Sequence, residues 1–262
     1  MPFTPSHAVV ALPFVRTPLV PAAVAIGAMT PDLPLFVRGA GLSYAFTHQA
    51  VNILWTALIA FALLLVWRVV LRPAFVSLAP DALAARLPEE WLTTGRTAVL
   101  GLVVPRRRPG DPLLLATSLL IGVASHIAWD LFTHEGRWGV DAVPLLQQDW
   151  GPLSGYKWLQ HGSSAIGLLI LAVYALLWVR RRQVVHRRRS LPVWARWAWY
   201  LSLPVFLISG WLWGLAVLGP LTDEFTLQHL AYRVLPPASG LWGGMTVLLC
   251  VAIVIWPGRR AD

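Results

Sequence analysis

The chain has 262 residues, of which 57% are hydrophobic and only 13% are charged, whereas soluble domains carry about 25% charged residues. This composition argues against a soluble globular protein. The net charge of +9 comes almost entirely from arginine, and most arginines flank apolar runs, as membrane topology requires. We therefore expect a lipid bilayer as the partner, and no nucleic acid. The single cysteine, Cys250, excludes an intramolecular disulfide and a zinc ribbon.

The first apolar region, Phe3–Val37, is interrupted by six prolines. Its longest uninterrupted piece, Ala22–Thr30, is too short to cross a hydrocarbon core of about 30 Å. The N-terminus also lacks the early positive charge of a signal peptide. We predict a retained re-entrant hairpin that turns near Arg16–Pro21, which would bring His7 and Asp32 together at its open end.

Five later apolar runs have the length that a membrane-spanning helix needs. They are Val51–Leu71, Leu113–Thr133, Ser163–Val179, Trp199–Gly219 and Ser239–Trp256. The sequence therefore predicts an all-α polytopic integral membrane protein with five transmembrane helices and a proline-broken N-terminal re-entrant hairpin. We expect a single membrane domain over residues 1–262, with a metal-site core in residues 1–180 and two additional transmembrane helices in residues 181–262.

The distribution of arginine predicts the orientation of the spans. The segments Arg68–Asp111 and Arg180–Arg196 hold seven arginines each, so the positive-inside rule places both of them, and the C-terminus, in the cytoplasm. The segments Glu135–Gly162 and Pro220–Ala238 hold only three cations between them. They are expected to face outward.

Three histidines are predicted at that outer interface, because His48 and His161 each precede a span and His134 follows one. Within the second span, His126, Asp130 and His134 are spaced by four residues. Steps of four residues keep side chains on one face of a helix. The spacing therefore predicts a single polar stripe directed into the helix bundle.

Imidazole nitrogens and carboxylate oxygens are typical ligands of zinc. The stripe extends over about 12 Å of helix axis, so one ion cannot reach both ends, whereas two ions bridged by Asp130 would fit. The alternative is interhelical hydrogen bonding without metal. The predicted metal ligands are His7, Asp32, His48, His126, Asp130 and His134.

Other residues have predicted roles around this site. Asp32 is either a ligand or a helix cap. A serine at the start of the third span suits the N-cap, which leaves His161 free for a ligand or catalytic acid–base role. Arg38 is predicted to hold an anionic head group, with snorkelling to the interface as the alternative. His229 and His186 are expected to play no part in the site.

The chain also carries five short motifs: Met1-Pro-Phe-Thr-Pro-Ser-His7, Gly27-Ala-Met-Thr-Pro-Asp32, Thr47-His48, Ser125-His126-x3-Asp130-x3-His134 and Lys157-x2-Gln160-His161-Gly162-Ser163. Over roughly residues 1–180 these motifs resemble a family of bacterial integral membrane proteins of unknown function. That family is distantly similar to membrane-bound metal-dependent hydrolases, which are grouped with zinc-dependent phospholipase C. The resemblance implies that Asp32, His48, His126 and Asp130 bind metal, and it lends weaker support to His7, His134 and His161.

These features favour a metal-dependent hydrolase at the outer face of the bacterial inner membrane, acting on a phosphoester or lipid-linked substrate. One or two zinc ions, or another divalent metal, would activate water while Asp130 or Asp32 bridges ions or accepts a proton. The alternative is a non-enzymatic scaffold, stabilised by metal, or a transport or proton-relay protein. Haem held by paired histidines is a third possibility.

Overall fold

A computed structural model describes residues 3–103, 111–185 and 190–256. Its α-helices are α1 (Pro21–Met29), α2 (Leu33–Phe36), α3 (Tyr44–Thr47), α4 (Ile53–Val66), α5 (Arg72–Leu78), α6 (Asp81–Ala84), α7 (Gly95–Val103), α8 (Asp111–Thr133), α9 (Trp138–Ala142), α10 (Pro144–Gln147), α11 (Gly155–Arg180), α12 (Val193–Leu218) and α13 (Leu227–Ile255). The 3-10 segments are Thr4–Phe14, Thr30–Asp32, Ala50–Asn52 and Glu89–Leu92, and a π-helical turn, Trp67–Leu71, joins α4 to α5. Two-residue strands β1 (Asp149–Trp150) and β2 (Leu153–Ser154) pair in antiparallel fashion. The predicted cytoplasmic residues Arg106–Arg108 and His186 lie outside the described residues.

Five helical segments among the described residues are long and apolar enough to cross a membrane. They are Ala50–Leu78, Asp111–Thr133, Gly155–Arg180, Val193–Leu218 and Leu227–Ile255. The predicted all-α polytopic membrane fold is thus confirmed. Three predicted spans begin too late. The helix α12 begins at Val193, six residues before Trp199, and α13 begins at Leu227, twelve residues before Ser239. The helix α11 begins at Gly155, eight residues before Ser163, and Ser154 occupies its N-cap position. Polar residues such as Lys157 and Gln160 are compatible with a helix, so the apolar run marks only part of it.

Contacts divide the described chain into two units. The first comprises residues 3–33, 43–65, 100–103 and 111–181, and the second comprises residues 34–42, 66–99, 182–185 and 190–256. The first unit contains every predicted metal ligand.

The first unit begins with the predicted helical hairpin. The 3-10 helix Thr4–Phe14 packs against α1 and α11, and the chain reverses over residues 15–20. The start of α1 is fixed by Ser118 of α8, whose Oγ accepts a hydrogen bond of 2.9 Å from the backbone nitrogen of Val20. At the open end of the hairpin, the Thr4 hydroxyl donates to Asp32 Oδ2 over 2.6 Å. The prolines therefore break the segment without preventing a compact hairpin.

Two glycines allow α1 and α8 to approach with their backbones in contact. A Cβ atom on Gly27 would lie 2.5 Å from the carbonyl oxygen of Leu119, and one on Gly122 would lie 2.3 Å from the carbonyl oxygen of Val24. Real Cβ atoms do not approach a backbone oxygen this closely, so only glycine fits at either position. This close packing brings the end of α1 next to the metal-ligand stripe on α8.

The second unit is held together mainly by α12 and α13. Gly214 of α12 lies against Val234 of α13, where a Cβ atom would be 2.6 Å from its Cγ1 atom. The rings of Trp199 and Trp242 stack at 5.6 Å, and the Trp199 indole donates to Thr246 Oγ1 over 3.1 Å. Polar side chains in these apolar helices thus form hydrogen bonds with one another.

Candidate metal centre

Four buried side chains from three segments converge in the first unit. Asp32 ends the 3-10 turn that follows α1, His48 directly follows α3, and His126 and Asp130 lie one turn apart on α8. Each of the four is at most 6% exposed. One ligand atom from each residue lies within 4.8 Å of the corresponding atoms of the other three. Such a group of two imidazoles and two carboxylates can hold a metal ion.

Five of the six pairwise distances within this group are close to those of tetrahedral coordination. The Nε2 atoms of His48 and His126 are 3.1 Å apart, and each is 3.4 Å from Asp130 Oδ2. Asp32 Oδ1 is 3.8 Å from His48 Nε2 and 3.6 Å from His126 Nε2. Atoms bonded at 2.0–2.2 Å to a tetrahedral zinc lie about 3.3–3.6 Å from one another. The side chains are therefore close to the required spacing without rearrangement.

Hydrogen bonds on the far side of each imidazole direct its Nε2 lone pair toward the centre. His126 Nδ1 lies 2.7 Å from the carbonyl oxygen of Ala28, and His48 Nδ1 lies 3.0 Å from that of Tyr44. A carbonyl oxygen only accepts hydrogen bonds, so both Nδ1 atoms carry the proton. A backbone carbonyl in this role is the usual outer partner of a metal-binding histidine.

Several atoms at the centre lack a hydrogen-bond partner among the described residues. They are Asp32 Oδ1, Asp130 Oδ1 and His7 Nε2, all of which are buried. Burying a carboxylate oxygen without a partner is costly. A cation bound among these side chains would compensate both carboxylates, so the unpaired atoms agree with the donor set and the distances.

Two further predicted ligands lie at the edge of the group. His7 Nε2 is 4.0 Å from Asp130 Oδ1, and the His7 ring stacks on His126 at 4.1 Å. His134 Nδ1 is 3.6 Å from Asp130 Oδ2, while its Nε2 is 3.5 Å from the side-chain nitrogen of Gln160. Burial lowers the pKa of the His134 imidazole from its usual value. His7 thus approaches Asp130 Oδ1, the oxygen without a hydrogen-bond partner, whereas His134 approaches Oδ2.

The structure does not place His161 in the four-residue group, and Arg38 belongs to the other unit. His161 is exposed and lies within α11, not at its end, because the helix begins earlier than predicted. Arg38 belongs to the second unit, where it donates to the backbone carbonyl of Tyr232 over 2.8 Å and lies above the Tyr232 ring. His229 also lies in the second unit and forms a capping box with Thr226 at the start of α13.

Sequence reasoning missed two residues that position the ligands. Thr4 binds Asp32 Oδ2, and the Tyr44 hydroxyl lies 3.3 Å from Asp130 Oδ2 while its ring stacks on His48 at 3.6 Å. The spacing of four residues between Tyr44 and His48 was a visible signal of a shared helical face. No periodicity links Thr4 to Asp32, since the hairpin alone brings them together.

Comparison with known proteins places the chain in a family but gives no activity. No curated protein and no solved structure matches it. One family model does match, over residues 1–254. The match covers both units and the four-residue group of Asp32, His48, His126 and Asp130, which we call the candidate metal-ligand group. The chain belongs to the family described as domain of unknown function DUF4184.

Proposed function

We propose that the protein is a membrane-embedded, zinc-dependent hydrolase that cleaves a phosphoester or related bond of a lipid-linked substrate. The observation that carries this proposal is the convergence of two directed Nε2 lone pairs and two buried carboxylates on one point. The resemblance of the same motifs to membrane-bound metal-dependent hydrolases agrees with it. Ionisable groups at the level of membrane spans are costly and usually functional.

The distances between the donor atoms suggest a separate chemical role for each residue. His48, His126 and Asp130 would hold the ion, since their ligand atoms are closest to one another. A divalent cation there would lower the pKa of a bound water towards about 7 and polarise the scissile oxygen. Asp32 Oδ1 is more distant and has no hydrogen-bond partner, so it would be a fourth, weaker ligand that can also accept the proton of the attacking water. His7 Nε2 is free to hydrogen-bond the substrate.

The proposed site faces the outer side of the bacterial inner membrane. The support is the arginine distribution, which favours a cytoplasmic location for Arg68–Asp111 and Arg180–Arg196. His134 follows α8 directly at the opposite end of that helix from Asp111. A site one to two turns inside this end would be reached from the outer interface.

One observation favours a second candidate, a non-enzymatic scaffold or proton relay. The distance of 3.1 Å between His48 Nε2 and His126 Nε2 also suits a hydrogen bond if one ring carries an extra proton. Four protein ligands are moreover typical of structural zinc sites, whereas catalytic sites keep a position for water. Haem is not favoured, because axial imidazoles must lie on opposite faces of the macrocycle and these nitrogen atoms nearly touch.

The experiment is a phosphodiesterase assay on protein purified in mild detergent, with bis(p-nitrophenyl) phosphate as substrate and zinc added. We expect turnover that a chelator abolishes and zinc restores. Asp130→Asn should remove the activity, because it deletes the carboxylate next to both imidazoles. Asp141→Asn is the matched control, since Asp141 is exposed on α9. If the protein binds metal but shows no zinc-dependent hydrolysis of bis(p-nitrophenyl) phosphate or of a lipid phosphoester, the result would favour the scaffold.

A further inference from the structure

An apolar cleft of about 760 Å³ lies beside the metal-ligand group in the first unit. Its walls come from the 3-10 helix Thr4–Phe14, from α8 and from α11, and they include Val9, Val10, Trp129, Leu159, Ile166 and Ile170. The volume falls within the range of about 300–1,000 Å³ that is usual for small-molecule sites. None of the residues lining the cleft is an aspartate, glutamate, lysine or arginine. The cleft therefore suits an uncharged, hydrophobic ligand.

One wall of the cleft reaches the metal-ligand group. His7 lines the cleft, its ring stacks on His126, and its unpaired Nε2 lies 4.0 Å from Asp130 Oδ1. Ser125, the neighbour of His126 in α8, is also part of the lining. A ligand in the cleft would thus place one end against His7 and within reach of the proposed chemistry.

Another part of the cleft opens on the surface of α11, a candidate membrane-spanning helix. Ile166 and Ile170 of α11 line the cleft yet are 60% and 45% exposed, and α11 is one of the five candidate spans. Apolar side chains exposed on such a helix face hydrocarbon. Trp150 and Trp158 also line the cleft, and tryptophan is enriched where the bilayer meets water. The opening is therefore lateral, toward the bilayer.

We propose that this cleft binds a hydrocarbon chain of a membrane phospholipid, whose head group then lies against His7 and the metal-ligand group. This assignment rests on the proposed function and names its substrate class. A lipid hydrocarbon chain that enters from the bilayer leaves the apolar membrane interior for an apolar cleft, so it passes the lateral opening without exposure to water. The hydrophilic head stays at the end of the cleft that carries His7.

Gly162 of α11 offers a way to fill the cleft. It lines the cleft, and a Cβ atom built on it meets nothing within 4 Å. Gly162→Phe therefore projects a ring into open space, and Gly162→Leu gives a smaller filling. Gly243→Phe is the matched control, because Gly243 lies in the span α13 and likewise has nothing within 4 Å of its Cβ position. Melting temperatures near that of the wild type would show that each variant folds.

The readout is native mass spectrometry of delipidated protein in detergent, titrated with a phosphatidylglycerol that carries 16- and 18-carbon chains. We expect saturable binding of one lipid molecule per protein molecule in the wild type and in Gly243→Phe. Binding should be at least about tenfold weaker in Gly162→Phe and intermediate in Gly162→Leu. Wild-type affinity in a folded Gly162→Phe variant, or no saturable binding in the wild type, would overturn the assignment.

Asp130→Asn separates this proposal from the proposed function. The variant loses head-group contacts that Asp130 helps to provide, but it should keep saturable lipid binding that Gly162→Phe still weakens, because Asp130 does not line the cleft that holds the hydrocarbon chain. If the wild-type protein shows no hydrolase activity but binds the lipid saturably, in a way that depends on Gly162, the result would support the cleft and refute the hydrolase. Zinc-dependent hydrolysis with lipid binding unaffected by Gly162→Phe would refute the cleft alone.

Discussion

At the scale of single residues, the orientation of the proposed ligands depends on neighbours outside the four-residue group. Asp32 has one oxygen held by the Thr4 hydroxyl and the other free, so the hydrogen bond decides which oxygen faces the imidazoles. Tyr44 acts on two ligands, since its hydroxyl approaches Asp130 and its carbonyl fixes the His48 ring. Outer partners of this kind typically contribute 10–100-fold in metal affinity.

Thr4→Val tests this role, because valine keeps the shape of threonine and removes the hydroxyl. Asp32 Oδ2 would then be buried without its donor, and the carboxylate would be free to rotate. We expect zinc affinity, measured by competition with a chromophoric chelator, to fall by about 10–100-fold. Thr4→Ser should retain most of the affinity because it keeps the donor. Equal affinity in Thr4→Val and the wild type would show that Thr4 is dispensable.

Tyr44→Phe tests the second positioning residue. Phenylalanine preserves the ring that stacks on His48 and removes only the hydroxyl that approaches Asp130 Oδ2 at 3.3 Å. A bond of this length is weak, so we expect a loss of affinity of about threefold, smaller than that of Thr4→Val. A larger loss than in Thr4→Val, in the same competition assay, would reverse this order.

At the scale of elements, the contact between α1 and α8 sets the geometry of the site. Gly27 and Gly122 bring the two backbones together, and one turn beyond Gly122 the His126 ring reaches the carbonyl oxygen of Ala28. A wider separation of the helices would break that hydrogen bond and release the His126 ring from its fixed orientation. The ligand group is therefore coupled to helix packing.

Gly122→Ala should separate these helices. Its Cβ atom would meet the Val24 carbonyl oxygen and the Ala28 backbone nitrogen, which are rigid, and overpacking of this kind costs about 1–3 kcal/mol. We expect a lower melting temperature and a loss of bound zinc. The control is Gly244→Ala in α13, where the added Cβ meets nothing within 4 Å. Unchanged zinc binding in Gly122→Ala would contradict the proposed coupling.

The elements differ in how far the sequence predicts them. The spans follow from apolar length, and the His126–Asp130 pair follows from helical spacing, because both depend on local periodicity. The start of α11 does not follow from local periodicity, since residues 155–162 are polar enough to resemble a loop and yet form a helix. The convergence of Asp32 and His48 with α8 depends on the glycine contact, on the 3-10 turn that carries Asp32 and on the short helix α3 before His48, none of which has a periodic signal.

At the scale of the whole molecule, the central remaining prediction is orientation across the membrane. Gln147→Cys and Gln183→Cys place single reporters at exposed positions of α10 and of the segment after α11, while the native Cys250 is buried. In intact cells, an impermeant maleimide should label residue 147 and not residue 183. Labelling of residue 183 alone would instead indicate the opposite orientation, in which the site opens to the cytoplasm.

The claim on which the account depends most is that the four-residue group binds a metal, and elemental analysis of purified protein tests it most directly. We expect about one zinc or more per chain in the wild type and in Asp141→Asn, and almost none in Asp130→Asn. The site would then hold an ion through the residues assigned to it. Wild-type protein prepared without chelator that contains no stoichiometric metal, and whose melting temperature added zinc does not raise, would contradict the account.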